Sequence, residues 1–176
     1  FFNQSAFTMK KLSLIVAATL AVTTSAVLAA TSPATATFQV LITVAKACSV
    51  VAGAGSKIDF GTVDSSATNL SGNSNISVTC SKTTPYNIGL LPSNNNTTGA
   101  GVMSPASGSD TVAYQLRSVS ATGSVWGSTA TSTAVGNGVA GTGTGAAQTI
   151  PVYATVASAN VTPGAYSDTV TVQVNY

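Results

Sequence analysis

The side chains that could carry acid–base or metal chemistry are few in this sequence. Its 176 residues include no histidine and four carboxylates, those of Asp59, Asp64, Asp110 and Asp168. The absence of histidine removes both the usual general base and the commonest metal ligand. Asp59 and Asp64 are too few and too isolated to indicate a calcium loop. We therefore expect a protein that is not an enzyme, with no catalytic residue, no metal site and no cofactor, although a carboxylate pair formed by folding stays an open alternative.

The two cysteines, Cys48 and Cys80, are the other reactive groups. In an exported chain they point to one disulfide, since no other intramolecular pairing exists. Closing a loop of this size would stabilise the fold by roughly 3–4 kcal/mol in the chain-entropy account. Two free thiols or an intermolecular bridge are the alternatives.

A glycine-rich stretch and a single tryptophan stand out in residues 121–147. The run Gly-Thr-Gly-Thr-Gly at 141–145 resembles a phosphate-binding loop, but it lacks the lysine and the strand-to-helix setting. Trp126 is the one large side chain of the stretch, and nearly all its neighbours are small. Because small residues bury little area, the stretch predicts irregular surface loops with at most a short hairpin around Trp126.

The N-terminal part of the chain predicts export. Met9 and two lysines precede an apolar run over residues 12–22 and small residues up to Ala29, which is the pattern of a signal peptide over residues 9–29. Residues 1–8 would be an upstream or cloning remnant. Without the signal, four cationic side chains remain against four aspartates, so the mature chain is formally neutral. It lacks the basic face that nucleic-acid binding requires.

Alternation of apolar and polar residues dominates the mature sequence and predicts strands. Residues 34–44 place Ala36, Phe38, Val40 and Ile42 on one face, and this first strand should continue to Cys48. Further strands are predicted near residues 58–61, 74–80, 86–90, 112–119 and 150–156. Six or seven short strands separated by turn signals indicate an all-β, immunoglobulin-like sandwich over residues 42–176.

The last predicted strand covers residues 166–176. Its apolar face carries five large side chains, those of Tyr166, Val170, Val172, Val174 and Tyr176. Asp168 interrupts this face near its start, where a strand end could keep the carboxylate hydrated. The opposite face is polar, so one face should lie against a core and the other should face water.

Seven short stretches follow one another over most of the mature chain. They are Ala-Cys-Ser-Val at 47–50, Ile-Asp-Phe-Gly at 58–61, Ile-Ser-Val-Thr-Cys at 76–80, Pro-Tyr-Asn-Ile-Gly-Leu at 85–90, Val-Ala-Tyr-Gln-Leu at 112–116, Val-Trp-Gly at 125–127 and Pro-Gly-Ala-Tyr-Ser-Asp-Thr-Val-Thr-Val at 163–172, closed by Tyr176. In this order they resemble the spore coat protein U family, whose members include the major pilins of archaic, Csu-type chaperone–usher pili.

The resemblance implies an incomplete immunoglobulin-like fold that lacks its C-terminal strand and leaves a groove along the core. The five apolar side chains of the last strand would line this acceptor groove. In such pilins a periplasmic chaperone fills the groove first, and the N-terminal segment of the next subunit then replaces it at the outer-membrane usher. Residues 30–41 would be that donor segment, with Ala36, Phe38, Val40 and Ile42 as its inserted side chains. We expect the chain to supply no further strand after Tyr176.

The resulting hypothesis is a structural subunit of an adhesive surface pilus, exported through the periplasm of a Gram-negative bacterium. The expected partners are other copies of the chain, a periplasmic chaperone and an outer-membrane usher, with neither nucleic acid nor a small-molecule substrate. The alternative is a secreted, spore-coat-like or surface-binding protein, such as an adhesin or minor pilin, in which Trp126 and the glycine-rich loops contact a surface. For Trp126 itself, packing inside the fold is the expected role. Residues 36–44 could also be the domain's own first strand.

Overall fold

The computed structural model describes residues 32–52 and 55–176, and within them the chain forms nine strands. They are β1 (Cys48–Val51), β2 (Thr68–Cys80), β3 (Pro85–Pro92), β4 (Ala100–Pro105), β5 (Val112–Ser118), β6 (Val139–Thr142), β7 (Ala147–Ser158), β8 (Tyr166–Ser167) and β9 (Val170–Asn175). All the strand pairings are antiparallel. The described residues include no helix long and apolar enough to cross a membrane. The all-β prediction is therefore confirmed.

The chain divides after Ile42 into two units, Phe1–Ile42 and Thr43–Tyr176, and the second, here called the sandwich unit, holds all nine strands. Its larger sheet has the order β1-β2-β7-β5-β4-β8, and its smaller sheet has the order β6-β3-β9. The longest pairing joins β2 to β7, from Thr68 opposite Ser158 to Thr79 opposite Ala147. Along these strands apolar residues alternate with polar ones, and the apolar side chains form the core between the sheets.

The predicted disulfide is present. Cys48 and Cys80 face each other in the β1–β2 pairing and are bridged, with their Cα atoms 4.1 Å apart. The entry into β1 is held at a second point, because the Ser81 N–H donates to the Ala47 carbonyl at 2.8 Å and the Ala47 N–H donates to Ser81 Oγ at 3.0 Å. The bridge and these bonds fix the position at which β1 begins to pair with β2.

Trp126 belongs to the core, as expected for a packing residue, although it lies in a stretch of loops. Its side chain is fully buried, and its indole N–H donates to the Ile88 carbonyl at 2.9 Å. The Trp126 backbone N–H donates in turn to the Leu116 carbonyl at 3.0 Å. The rest of residues 121–147 is largely irregular, as predicted, apart from β6 and Ala147, the first residue of β7. A large side chain among small ones thus anchors a long loop by filling the core and satisfying its own donor.

The first predicted strand does not form in the structure. Residues 33–47 have no regular secondary structure, and β1 begins only at Cys48. Residues 58–61 are likewise not a strand, although Gly61, with a φ of +71°, does end this stretch. Alternation shows which face of a strand would be buried, but a strand also needs a partner for its backbone groups. None of the described strands pairs with either stretch.

Strands β4 and β6 were not predicted from the sequence, and the last predicted strand, residues 166–176, is divided in the structure into β8 and β9. β4 and β6 consist largely of small residues, which carry little periodic signal, and β8 has only two residues. Each forms because a neighbour offers an edge: β4 pairs with β5, β6 with β3, and β8 with β4. Tertiary pairing therefore decides the conformation of these stretches.

Replacing Trp126 tests the core. Trp126→Phe should lower the free energy of unfolding by about 1–3 kcal/mol, because it removes the bond to the Ile88 carbonyl and leaves that buried acceptor without its donor. Urea unfolding followed by circular dichroism measures the change. Tyr176→Phe, at a half-exposed position, is the control and should stay within about 0.5 kcal/mol of the wild type. An unchanged midpoint for Trp126→Phe would contradict the assigned role.

Candidate functional site

An open cleft of ≈ 440 Å³ lies between the two sheets of the sandwich unit. One wall is formed by β9, which contributes Val170 and Val172, and another by residues 56–60, which contribute Ile58 and Phe60. The floor consists of core side chains from both sheets: Ile76, Leu90, Leu116, Val152 and Ala154. An adjoining cleft of ≈ 820 Å³ shares Ile58, Phe60, Met103 and Tyr166 with the first and continues towards Pro163. Core surface is thus reachable from solvent along this side of the sandwich unit.

The β9 wall is a strand that is paired on one side. Its register with β3 runs from Asn87 opposite Asn175 to Pro92 opposite Val170. No other described strand pairs with β9. Its inward side chains, those of Val170, Val172 and Val174, are only partly buried, although the β3 side chains Ile88 and Leu90 are completely buried. β9 therefore has an available edge and an incompletely covered apolar face.

The opposite wall, residues 56–61, is positioned by a glycine. A Cβ at Gly72 in β2 would lie 2.7 Å from Cγ2 of Ile58, so the Ile58 side chain can pack against this backbone only because residue 72 is a glycine. Asp59 accepts a hydrogen bond from the Gly61 N–H at 2.9 Å and forms an exposed ion pair with Lys57 at 3.2 Å. The hydrogen bond from Gly61, followed by the hydrogen bond and the positive charge of Lys57, lowers the pKa of the Asp59 carboxyl. The wall has a defined local structure without belonging to a sheet.

A polar pair stands in this mostly apolar cleft, at the point where the last strand changes sheets. β8 belongs to the larger sheet and β9 to the smaller, and only Asp168 and Thr169 separate them. The Tyr114 hydroxyl donates to Asp168 Oδ2 at 2.5 Å, and the Thr169 N–H donates to Oδ1 at 2.7 Å. Burial, and then the hydrogen bond and negative charge of Asp168, raise the pKa of the Tyr114 hydroxyl.

Tyr114 reaches Asp168 because of a glycine on the neighbouring strand. Gly101 lies opposite Tyr114 in the β4–β5 pairing, and a Cβ there would lie 2.0 Å from Cζ of the tyrosine ring. The ring therefore lies across the β4 backbone. The same arrangement occurs in the smaller sheet, where the ring of Tyr86 lies across Gly141. An aromatic ring over a cross-strand glycine covers the backbone that the missing side chain would leave bare.

The structure places the predicted site residues in two groups. Tyr166, Val170 and Val172 line the clefts, whereas Val174 packs against the core outside the cleft lining and Tyr176 is about half exposed. The side chains of Phe38, Val40 and Ile42 are 87%, 84% and 88% exposed, and Ala36 is exposed as well. Among the described residues, no core therefore buries these four side chains.

Sequence reasoning missed several residues of the cleft. Met103 and Tyr114 line it from β4 and β5, and the Lys57 side chain lines it from the opposite wall. The available signal was the alternation of Lys57, Ile58, Asp59 and Phe60, which marks one apolar face without showing that the face borders a cleft. No local signal joins Tyr114 to Asp168, which are 54 positions apart.

An antiparallel β-sandwich with an open apolar side defines the structural class, and comparison with known proteins gives the family. The family model for the Spore Coat Protein U domain matches residues 34–173, and the chain belongs to this family. The family predicted from the sequence is thereby confirmed.

A solved structure has a similar fold. It is the crystal structure of the CsuC–CsuE chaperone–tip adhesion subunit pre-assembly complex from archaic chaperone–usher Csu pili of Acinetobacter baumannii. The similarity has a TM-score of 0.52 at 22% sequence identity and covers 76% of this chain and 41% of that chain. The chain thus spans about two fifths of the length of the chain it matches. A comparison with curated proteins found no match.

The raised pKa of Tyr114 predicts a loss of stability in alkali. The folded chain holds this proton above pH 10, where an unfolded tyrosine releases it, so stability is complete below about pH 10 and falls above it. In Tyr114→Phe the fall should be shallower by up to about 1.4 kcal/mol per pH unit. Urea unfolding by circular dichroism between pH 8 and 11 measures both slopes. Equal slopes for the two proteins would rule out this coupling.

Proposed function

We propose that the chain is a structural subunit of an adhesive surface pilus built by the chaperone–usher route, in which the N-terminal segment of one copy completes the fold of the next. The observation that carries the proposal is the open cleft beside the free edge of β9. It is supported by a segment in the same chain, residues 33–47, that has an apolar stripe and no strand partner among the described residues.

The cleft has the properties of a site for an added strand. An edge with unpaired backbone groups beside exposed apolar side chains favours pairing with another chain. A strand laid along β9 would supply the ladder hydrogen bonds, and every second side chain would enter the cleft. The half-buried Val170 and Val172 on one wall and Ile58 and Phe60 on the other would then be covered from both sides.

Residues 30–41, together with Ile42 directly after them, have the properties of the donor. Phe38, Val40 and Ile42 alternate with polar residues, so they would all enter the cleft together. Burial of three such side chains contributes about 1.5–3 kcal/mol each, or roughly 5–9 kcal/mol before the cost of ordering the segment. The lack of regular structure in residues 33–47 favours this use over the reading of residues 36–44 as the domain's own first strand.

The architecture of the association follows from its two surfaces. The donor segment and the cleft are different parts of one chain, so each copy can receive a strand from one neighbour and give a strand to another. Such heterologous contacts produce an open filament when their rotation does not close a ring. A formally neutral mature chain offers little charge repulsion between neighbours along the filament.

Family membership and the structural neighbour support the assembly route. The neighbour is described as a complex of a chaperone with a pilus subunit before assembly, and its fold is similar to that of this chain. A periplasmic chaperone would cover the cleft until a donor segment replaces it, and an outer-membrane usher would carry the growing fibre to the cell surface. The burial of Trp126 argues against a role for this side chain in contacting a surface.

Deletion of residues 30–40 tests the donor role of this segment separately from the acceptor role of the cleft. The shortened chain should still reach the periplasm, provided that the signal peptide is kept, and should accumulate with the chaperone. It should not form fibres, because it can receive a donor but cannot act as one. Electron microscopy of the producing cells, with the full chain as control, measures the outcome. Fibres built from the shortened chain alone would refute donor use of this segment.

The alternation of residues in the donor segment predicts which of its side chains contribute to binding in the cleft. A synthetic peptide of residues 30–44 should bind the full chain, and its Phe38→Ala form should bind about 10- to 150-fold more weakly, as expected for losing 1.5–3 kcal/mol of apolar burial. Leu41→Ala is the matched control, since Leu41 is as exposed as Phe38 (85% against 87%) but lies on the other face. Fluorescence anisotropy of labelled peptides measures both affinities. Equal losses for the two peptides would contradict the assigned face.

A further inference from the structure

We propose that Tyr114 and Asp168 are positioning residues for strand acceptance, and that their hydrogen bond contributes mainly when a donor strand covers the cleft. The inference rests on the proposed function, because it concerns the cleft that would receive the donor. The alternation of residues 166–176 gives no role to Asp168, which interrupts the apolar face of the last strand, or to its partner Tyr114.

The position of Asp168 makes its environment depend on the occupant of the cleft. Asp168 shares the inward-facing series with Tyr166, Val170 and Val172, and all four line the cleft. In the open cleft Asp168 is partly exposed, so water can solvate the carboxylate. A strand lying along β9 would remove that water, and a carboxylate without water needs hydrogen bonds from the protein.

The protein supplies those hydrogen bonds in advance. The Tyr114 hydroxyl donates to one carboxylate oxygen at 2.5 Å and the Thr169 N–H to the other at 2.7 Å. The tyrosine is held in this orientation by the ring lying across Gly101, where a side chain would collide with it. Both donors are therefore in place before any strand arrives, which avoids an ordering cost at binding.

The pair also fixes the point at which the last strand leaves the larger sheet. β8 ends at Ser167, β9 begins at Val170, and the anchored carboxylate lies between them. Anchoring Asp168 to Tyr114 of the larger sheet sets where β9 starts along the smaller one, and with it the position of the free edge of β9. A donor strand would find this edge already placed for pairing.

The inference predicts an effect on binding that exceeds the effect on folding. In the open cleft water can replace the Tyr114 hydroxyl, so Tyr114→Phe should change the stability of the free chain little at pH 7. In the covered cleft no such replacement is available, and the labelled peptide of residues 30–44 should bind about 10-fold more weakly or worse, which corresponds to a lost bond to a charged group. The phenylalanine ring keeps the contact with Gly101, so the fold is retained.

A double-mutant cycle with Asp168→Asn tests whether the loss acts through the carboxylate. The amide carries no charge to be covered, so Tyr114→Phe should cost less than about 3-fold in affinity in the Asp168→Asn background. Tyr86→Phe is the matched control. Its ring also lies across a glycine, but its hydroxyl contacts Gln148 at 3.4 Å and it is not part of the cleft lining. Its peptide affinity should equal that of the wild type.

The experiment is anisotropy of the labelled peptide with the full-length wild-type chain, the three single variants and the double variant, each checked for folding by Trp126 fluorescence. Wild-type affinity in Tyr114→Phe, or the same loss in both backgrounds, would overturn the positioning role while leaving the proposed function intact. Failure of the wild-type chain to bind the peptide would instead refute the proposed function, and this inference with it.

Discussion

The inward face of β9 is an apolar surface that the described strands cover only in part. Val170 and Val172 remain half-buried on this face, beside core side chains such as Leu90 that are completely buried. Apolar surface left in water is unfavourable by about 25 cal/mol for each Å² that could be covered. Among the described strands only β3 pairs with β9, so the other edge of β9 adds backbone groups that can bond to a further strand. The clefts, their walls and the proposed association all follow from this one uncovered face.

The rest of the sandwich unit keeps this face open and well defined. Ile58 packs against Gly72 on one wall, and the ring of Tyr114 lies across Gly101. The hydrogen bond from Tyr114 to Asp168 joins the segment between β8 and β9 to the larger sheet. Trp126 fills the core from a loop. A cleft whose walls are fixed in this way loses little entropy when a strand enters, so more of the burial energy is available for association.

The two surfaces of the proposed assembly differ in how they are built. The cleft depends on contacts among strands distant in sequence, whereas the apolar stripe at Phe38, Val40 and Ile42 is local and is exposed in the structure. The family model for the Spore Coat Protein U domain spans residues 34–173 and therefore includes both the stripe and the cleft. In the proposed assembly, a chain with both surfaces would join copies of itself head to tail.

The sequence by itself determined the all-β class, the bridge between Cys48 and Cys80, and the main strands, because half-buried strands alternate visibly and two cysteines allow one intramolecular pairing. It also marked the apolar stripes of residues 34–44 and 58–61, but not that both would stay out of the sheets. Only the tertiary structure decided the burial of Trp126, the meeting of Tyr114 with Asp168 and the open side of β9. The reason is physical: a pattern specifies which face of a strand can be buried, whereas burial itself requires a neighbour that other parts of the chain, or another chain, must provide.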